Sequence, residues 1–278
     1  MKSQSFATFI ISLKNSGRCK ILTNQLNEKG IEFRLIEAID GKNLNLVDIK
    51  NNFNESASIA RVGYKMSPTL IACALSHRST YKYFLSLNTR WALIFEEDAT
   101  LNNNFDQKVL DKCLTTMPNE PVILQLFSRS SRLASRKKFK LIDKGVFLFK
   151  FSPRLPGFGA AAYLINREAA KLATTGEKLI GPPDFPNWHS NVNFYGLYPW
   201  VCHESAKNST IEENSMRRGI IWLRRLLIFT GFHYLNYRKE YFGLRSYLKE
   251  EFIPMIYFLI WKFKGSRFFT DKESPQII

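Results

Sequence analysis

The stretch Trp91-Ala92-Leu93-Ile94-Phe95-Glu96-Glu97-Asp98 sets five apolar residues directly against three acidic ones. A short apolar run that ends in charge reads as a strand buried on both faces. Its acidic end lies where open α/β sheets bind ligands, beyond the carboxyl ends of their strands. If strand geometry continues, Glu96 and Asp98 point to one side. Two carboxylates so placed make a hard oxygen site for Mn²⁺ or Mg²⁺. His203, in the His203-Glu204 pair after the last apolar segment, is a candidate third ligand. The plainer readings are acidic turn residues after a strand and a surface His-Glu pair.

Working outward, Phe6–Leu13 is apolar, β-branched and aromatic, and predicts a first strand. Cys19–Lys29 has apolar residues at 21, 22 and 26, close to helical spacing, and Gly30 is a natural C-terminal cap. Ile31–Ala38 alternates as a second strand and ends in the turn Ile39-Asp40-Gly41. Strand, helix and strand in this order begin a parallel α/β sheet. Ser67-Pro68 starts a long helix, Pro68–Leu87, with serine as cap and proline at the first helical position. Further strands are expected at Val122–Phe127, Val146–Phe151, the segment ending Tyr163-Leu164-Ile165, and Tyr198–Val201, with a helix from Asn166. No internal repeat or low-complexity linker is visible. The expected architecture is one α/β domain over residues 1–216, followed by an extension over 217–278.

The 278 residues are 45% hydrophobic and 23% charged, which excludes a mainly disordered, collagen-like or coiled-coil chain. Forty Lys and Arg against 24 Asp and Glu leave a net charge of +16, a surplus that favours an anionic partner. Residues 217–278 carry +7 of it. Here Arg217-Arg218, Trp222, Arg224-Arg225 and the run Phe252–Lys264 interleave aromatic and aliphatic residues with basic ones. Such an extension suits the headgroup layer of an anionic membrane. The alternative is a pair of amphipathic helices closing the core. No nucleic-acid motif accompanies it, and nucleic acid is not an expected partner. A second basic cluster, Arg129 to Lys144, reads as a solvated loop between strands, or as an anion-contacting loop.

Cys19, Cys73, Cys113 and Cys202 include no CxxC and no Cys/His pair at zinc spacing, so neither a disulfide framework nor a structural zinc site is expected, and a reducing compartment fits. Phe6–Leu13 is too short for a secretory signal, and no apolar run reaches membrane-spanning length.

Taken in order, Ile11-Ser12-Leu13, Arg18, Gly30-Ile31-Glu32-Phe33, Ala38-Ile39-Asp40-Gly41, Ala72-Cys73-Ala74-Leu75-Ser76-His77 and Phe95-Glu96-Glu97-Asp98 resemble glycosyltransferase family 25. These are bacterial lipooligosaccharide glycosyltransferases, with collagen galactosyltransferases as distant relatives. Gly159 to Ala169, Pro183-Asp184 and Ser209 to Glu212 agree with the same family. Glu97 departs from the family's usual aspartate, and Leu70 stands where an acidic residue is common.

The resemblance implies a GT-A type, Rossmann-like fold, to which the composition adds a basic, aromatic C-terminal helical extension. It implies a UDP-sugar donor, galactose most often, a lipid-linked saccharide acceptor, and work at the cytoplasmic face of the bacterial inner membrane. It also implies donor-site roles for Ser12, Arg18, Asp40, His77 and Glu97. Arg18 follows a strand end and suits a diphosphate. Asp40 suits ribose or uracil, or else is only a turn residue. Asp184 follows two prolines and is a candidate general base toward an acceptor hydroxyl, with a helix cap as its plainer role. The expected reaction is metal-assisted hexosyl transfer with inversion, with Asp98 and Asp184 as catalytic residues. The alternatives are a nucleotidyl- or phosphotransferase on a sugar phosphate, and a non-catalytic, membrane-associated relative.

Overall fold

A computed structural model describes residues 5–62, 65–128, 139–151, 159–176, 178–183 and 191–205. The elements run β1 Phe6–Ser12, α1 Lys20–Glu28, β2 Arg34–Glu37, α2 Leu46–Asn52, α3 Glu55–Val62 and α4 Pro68–Ser86. Then come β3 Trp91–Glu96, β4 Ala99–Leu101, α5 Gln107–Thr115, β5 Val122–Gln125, β6 Phe139–Asp143 and β7 Val146–Lys150. The last are β8 Ala162–Asn166, α6 Arg167–Thr174, β9 Asn193–Tyr198 and β10 Cys202–Glu204.

Eight strands form a mixed sheet in the order β2-β1-β3-β8-β5-β9-β7-β6, and β4 and β10 form a separate two-stranded ribbon. β1 pairs parallel with β2 and β3, while β8 runs antiparallel to both β3 and β5. β9 is parallel to β5. The carboxyl ends of β1, β3, β5 and β9 therefore meet at one edge of the sheet. This is the single α/β domain the sequence predicts, built on one large mixed sheet.

Strand alternation splits the core into two layers. Phe6, Ile10, Leu93, Phe95 and Leu124 pack with Leu22 and Leu26 of α1 and Leu110 and Leu114 of α5. Phe9, Ile11, Ala92, Ile94 and Tyr163 pack on the other face with Tyr81 and Phe84 of α4 and the alanines of α6. At roughly 25 cal/mol per Å² of apolar surface, these two layers supply the main drive to fold.

The local signals act as the sequence suggests. The Ser67 side chain accepts from the Leu70 N–H at 3.2 Å and Pro68 opens α4. Asn166 caps α6 by accepting from the Ala169 N–H at 2.9 Å. Gly30, at φ +66°, ends the first helix in a conformation that favours glycine.

Several elements differ from the sequence reading. β2 is shorter than Ile31–Ala38, because Ile31 turns into the core and its N–H bonds the Leu26 carbonyl. Of the expected strand Tyr198–Val201, only Tyr198 is strand, at the end of β9; residues 199–201 link β9 to β10, because Pro199 has no N–H for a ladder and the chain changes sheet. Part of the basic cluster read as a loop is strand: Lys140 lies in β6, and Lys144 with Gly145 forms the β6–β7 hairpin turn. Residues 129–138 of that cluster lie outside the described residues, as does the extension 217–278.

The chain between β2 and α2 passes directly over the start of α4. A Cβ placed on Gly41 would lie 2.4 Å from the Thr69 Cα and 2.6 Å from its nitrogen. Backbone meets backbone there, so no rotamer change relieves it. Gly41→Ala is expected to destabilise the protein by about 1–3 kcal/mol. A urea midpoint that does not move in this variant would show the approach to be yielding.

Candidate functional site

The site is built at the end of β3. Ile94 faces the layer containing α4, so Glu96, two residues on, points the same way. There its Oε1 meets His77 Nε2 at 3.0 Å and Cys73 Sγ at 3.8 Å. Cys73 and His77 stand one helical turn apart on α4, an i,i+4 pair that shares a face. His77 Nδ1 lies 2.7 Å from the Tyr163 hydroxyl, which lies 2.6 Å from that of Tyr81. Burial pushes both tyrosines above the ordinary phenol range, so both remain protonated hydroxyls. Glu96, His77, Tyr163 and Tyr81 thus form one continuous hydrogen-bonded chain leading into the core.

The strand stops at Glu96, and Glu97-Asp98 is a two-residue turn. The turn breaks the alternation, so Asp98 does not follow Glu96 as strand geometry predicts. Glu97 turns to the loop after β1. It accepts from the Ser12 hydroxyl at 2.9 Å, from the Leu13 N–H at 3.2 Å, from the Ser16 hydroxyl, and from Arg18 at 2.8 Å. Arg18 reaches on with its second nitrogen to Asp98 at 3.0 Å. One guanidinium therefore bridges two adjacent carboxylates, while remaining 24% exposed.

Asp98 is the unusual group. Burial, then the charges of Glu96 and Glu204, raise its pKa to about 7 against the opposing pull of Arg18. Its Oδ1 is buried without a hydrogen-bond partner among the described residues. A carboxylate short of positive charge, with an unpaired oxygen and two acidic neighbours, fits a hard divalent cation. Asp98 is the residue that would hold it, with Glu96 and Glu204 near enough for their charges to act on it.

The other expected residues are placed as follows. His77 is 1% exposed with both ring nitrogens engaged, so it cannot touch a donor phosphate and instead supports Glu96. His203 is not brought into a metal group; its Nδ1 meets the Asn102 side chain at 2.5 Å on the exposed ribbon. Its neighbour Glu204 is the residue whose charge reaches Asp98. Ser12 serves Glu97, and Asp40 holds its own turn by accepting from the Lys42 N–H at 2.9 Å. Asp184 lies outside the described residues; Pro182 and Pro183 before it line a small cleft with Ala74, His77 and Tyr81.

Among the described residues, the group of metal-ligating side chains close enough to share one ion is Cys73, His77 and Glu96, all within 4.8 Å. This corrects the expectation that no cysteine has a histidine at zinc spacing. The missed signal was Cys73-x-x-x-His77 inside a helix already predicted from Pro68.

Asp98 gives a signed pH dependence. Its folded pKa lies above its ordinary value of 3.8, so the folded protein holds this proton more tightly than the unfolded chain. Its contribution is harmless below about pH 4 and grows unfavourable as pH rises through about 7. Without divalent cations, Asp98→Asn is expected to stabilise the protein at pH 8, by up to about 4 kcal/mol, and to change nothing at pH 4. Thermal melts at the two pH values check this.

A family model described as glycosyltransferase family 25 (LPS biosynthesis protein) matches residues 6–184. Procollagen galactosyltransferase 2 of Homo sapiens and that of Mus musculus are each 31% identical over 106 residues. The match covers 37% of this chain and spans 17% of the length of these curated relatives. Among solved structures, A197 from STIV shares 16% identity at a TM-score of 0.33, over 60% of this chain and 67% of its own. A glycosyltransferase involved in the glycosylation of the major capsid of PBCV-1 shares 11% at 0.30, over 60% and 63%. The inositol-1-phosphate CTP transferase from T. maritima shares 11% at 0.35, over 80% and 96%. The family model extends from the first residue of β1 past the β3 carboxylates to Asp184, and on that match the chain belongs to glycosyltransferase family 25.

Proposed function

We propose that the protein transfers a hexose, galactose in the first instance, from a UDP-sugar to a lipid-linked saccharide of the lipooligosaccharide or LPS type. The observation that carries this reading is Asp98, a buried carboxylate with an unpaired oxygen at the sheet edge where α/β proteins bind nucleotides. Family membership supplies the reaction class.

Arg18 keeps positive charge at this edge and is exposed enough to meet a phosphate oxygen. Glu97 fixes the loop that carries Arg18, so the guanidinium is presented from a stiff base. A divalent ion on Asp98 would neutralise charge on the diphosphate as it departs. His77 orients the Glu96 carboxylate from behind. Asp184, placed by sequence after two prolines, takes the proton of the attacking acceptor hydroxyl, and the anomeric centre inverts. The extension 217–278, with its Arg, Lys, Trp and Phe content, holds the enzyme at the cytoplasmic face of the inner membrane as a peripheral protein.

Turnover of UDP-galactose with Mn²⁺ tests the chemistry. Wild type is expected to release UDP, and Asp98→Ala to lose about 100-fold or more of the rate while remaining folded by circular dichroism. Equal rates in the two proteins would remove Asp98 from the mechanism. Release of pyrophosphate from a nucleoside triphosphate and a sugar phosphate would replace glycosyl transfer with nucleotidyl transfer. For the membrane, the full chain is expected to sediment with vesicles containing phosphatidylglycerol, less so at high salt, and to leave neutral phosphatidylcholine vesicles unbound.

A further inference from the structure

Cys73, His77 and Glu96 are a ligand set of a different chemical kind from the carboxylates around Asp98. One residue is a thiol, one an imidazole and one a carboxylate, and they come from two elements, α4 and the end of β3. Thiolate and imidazole select zinc-class ions over magnesium, calcium or manganese. The distances suit a single ion. A tetrahedral centre about 2.0–2.3 Å from each ligand holds neighbouring ligand atoms about 3.2–3.8 Å apart. Here the sulfur–oxygen separation is 3.8 Å and the nitrogen–oxygen separation 3.0 Å, a hydrogen-bond distance that an ion would open by a few tenths of an ångström.

A second observation is independent of that triangle. Metal-binding histidines ordinarily donate their other ring N–H to a partner that fixes the tautomer. His77 has that partner in Tyr163, at 2.7 Å from Nδ1, and Tyr163 is itself backed by Tyr81. A chain of two hydroxyls can run in either direction. In one, His77 receives a hydrogen bond at Nδ1 and donates from Nε2 to Glu96. In the other, Nδ1 donates to Tyr163 and the Nε2 lone pair faces the space beside Glu96 and Cys73. The histidine can thus change from carboxylate support to metal ligand without moving its ring. His77 is buried, Cys73 is half-buried and the Glu96 side chain is 21% exposed, so the open side of the triangle lies toward Glu96.

We propose that Cys73, His77 and Glu96 form a zinc-class binding site, with a fourth position left for water, and that its occupancy withdraws Glu96 from the donor site and inhibits transfer. The binding step needs no assumption about the reaction; only the inhibitory consequence rests on the proposed transferase activity. Binding releases the Cys73 thiol proton to solvent, and nothing is oxidised or reduced.

Cobalt(II) added to the full chain, in a phosphine-reduced buffer, tests the site directly. The expected result is one equivalent bound, with tetrahedral ligand-field bands and a sulfur-to-cobalt charge-transfer band. Cys73→Ser is expected to abolish the charge-transfer band, and Asp98→Asn to keep it. Tyr163→Phe, which removes the hydroxyl behind the imidazole, is expected to weaken affinity about 10-fold to 100-fold. Absence of the charge-transfer band in wild type, or its persistence in Cys73→Ser, overturns the proposal. If the band behaves as expected, zinc titrated into the Mn²⁺-supported reaction is expected to inhibit wild type and to inhibit Cys73→Ser at least 10-fold less sensitively. Equal sensitivity would remove the inhibitory role while leaving the site. A protein that shows the band but turns over no UDP-sugar would keep the site and refute the transferase reading.

Discussion

Three carboxylates leave the end of one buried strand in succession, and how each finds compensation sets the architecture of this edge. Charge that close to a packed core must be neutralised, hydrogen-bonded or protonated. The protein uses a different device for each residue. Glu96 is met by an imidazole, Glu97 by four donors of the β1–α1 loop, and Asp98 by a shared guanidinium together with a raised pKa. The divergence comes from the turn at Glu97-Asp98, which ends the two-residue period of the strand. Had the strand continued, Glu96 and Asp98 would share a face, and α4 would have to accommodate both.

The rest of the sheet is arranged around that divergence. β8 runs against its neighbours, so its small N-terminal residues arrive at the same edge as the ends of β3 and β5. The Ala161 carbonyl accepts from the Glu96 N–H at 2.9 Å, and the Gly159 carbonyl from Gln125 at 3.2 Å. The small β4–β10 ribbon brings Glu204 round to face Asp98, adding the negative potential that makes the latter hard to ionise. Arg18 alone spans Glu97 and Asp98, so its displacement by any ligand would change the electrostatics of both at once.

Much of this was readable in the sequence, for definite reasons. Short-range signals transferred almost unchanged: Ser67-Pro68 opened α4, Asn166 capped α6, Gly30 closed α1, and Trp91–Phe95 was a strand. What failed depended on where a strand stops or on what a distant segment contributes. The pairing of Glu96 with Asp98 was drawn from ideal alternation, and the turn cancelled it. His203 was a candidate third ligand beside the plainer reading of a surface pair; its ring meets Asn102, and it is Glu204 whose charge reaches Asp98. The donor-site role of His77 came from the family resemblance, which does not carry the helix's orientation; the ring is buried in the α4 layer and supports Glu96. α2 and α3 are short and passed unread, and α5 was missed although Val109, Leu110, Cys113 and Leu114 stand at helical spacing.

The ribbon does one more thing. The Ser205 N–H donates to the Asp98 carbonyl at 2.9 Å, clipping the chain just after β10 to the backbone of Asp98. Tension or docking applied to the downstream polypeptide would be felt first at that clip. Residues 217–278, with +7 of the surplus of +16, lie downstream of that clip, so a partner that gripped them would pull on the turn that carries Asp98.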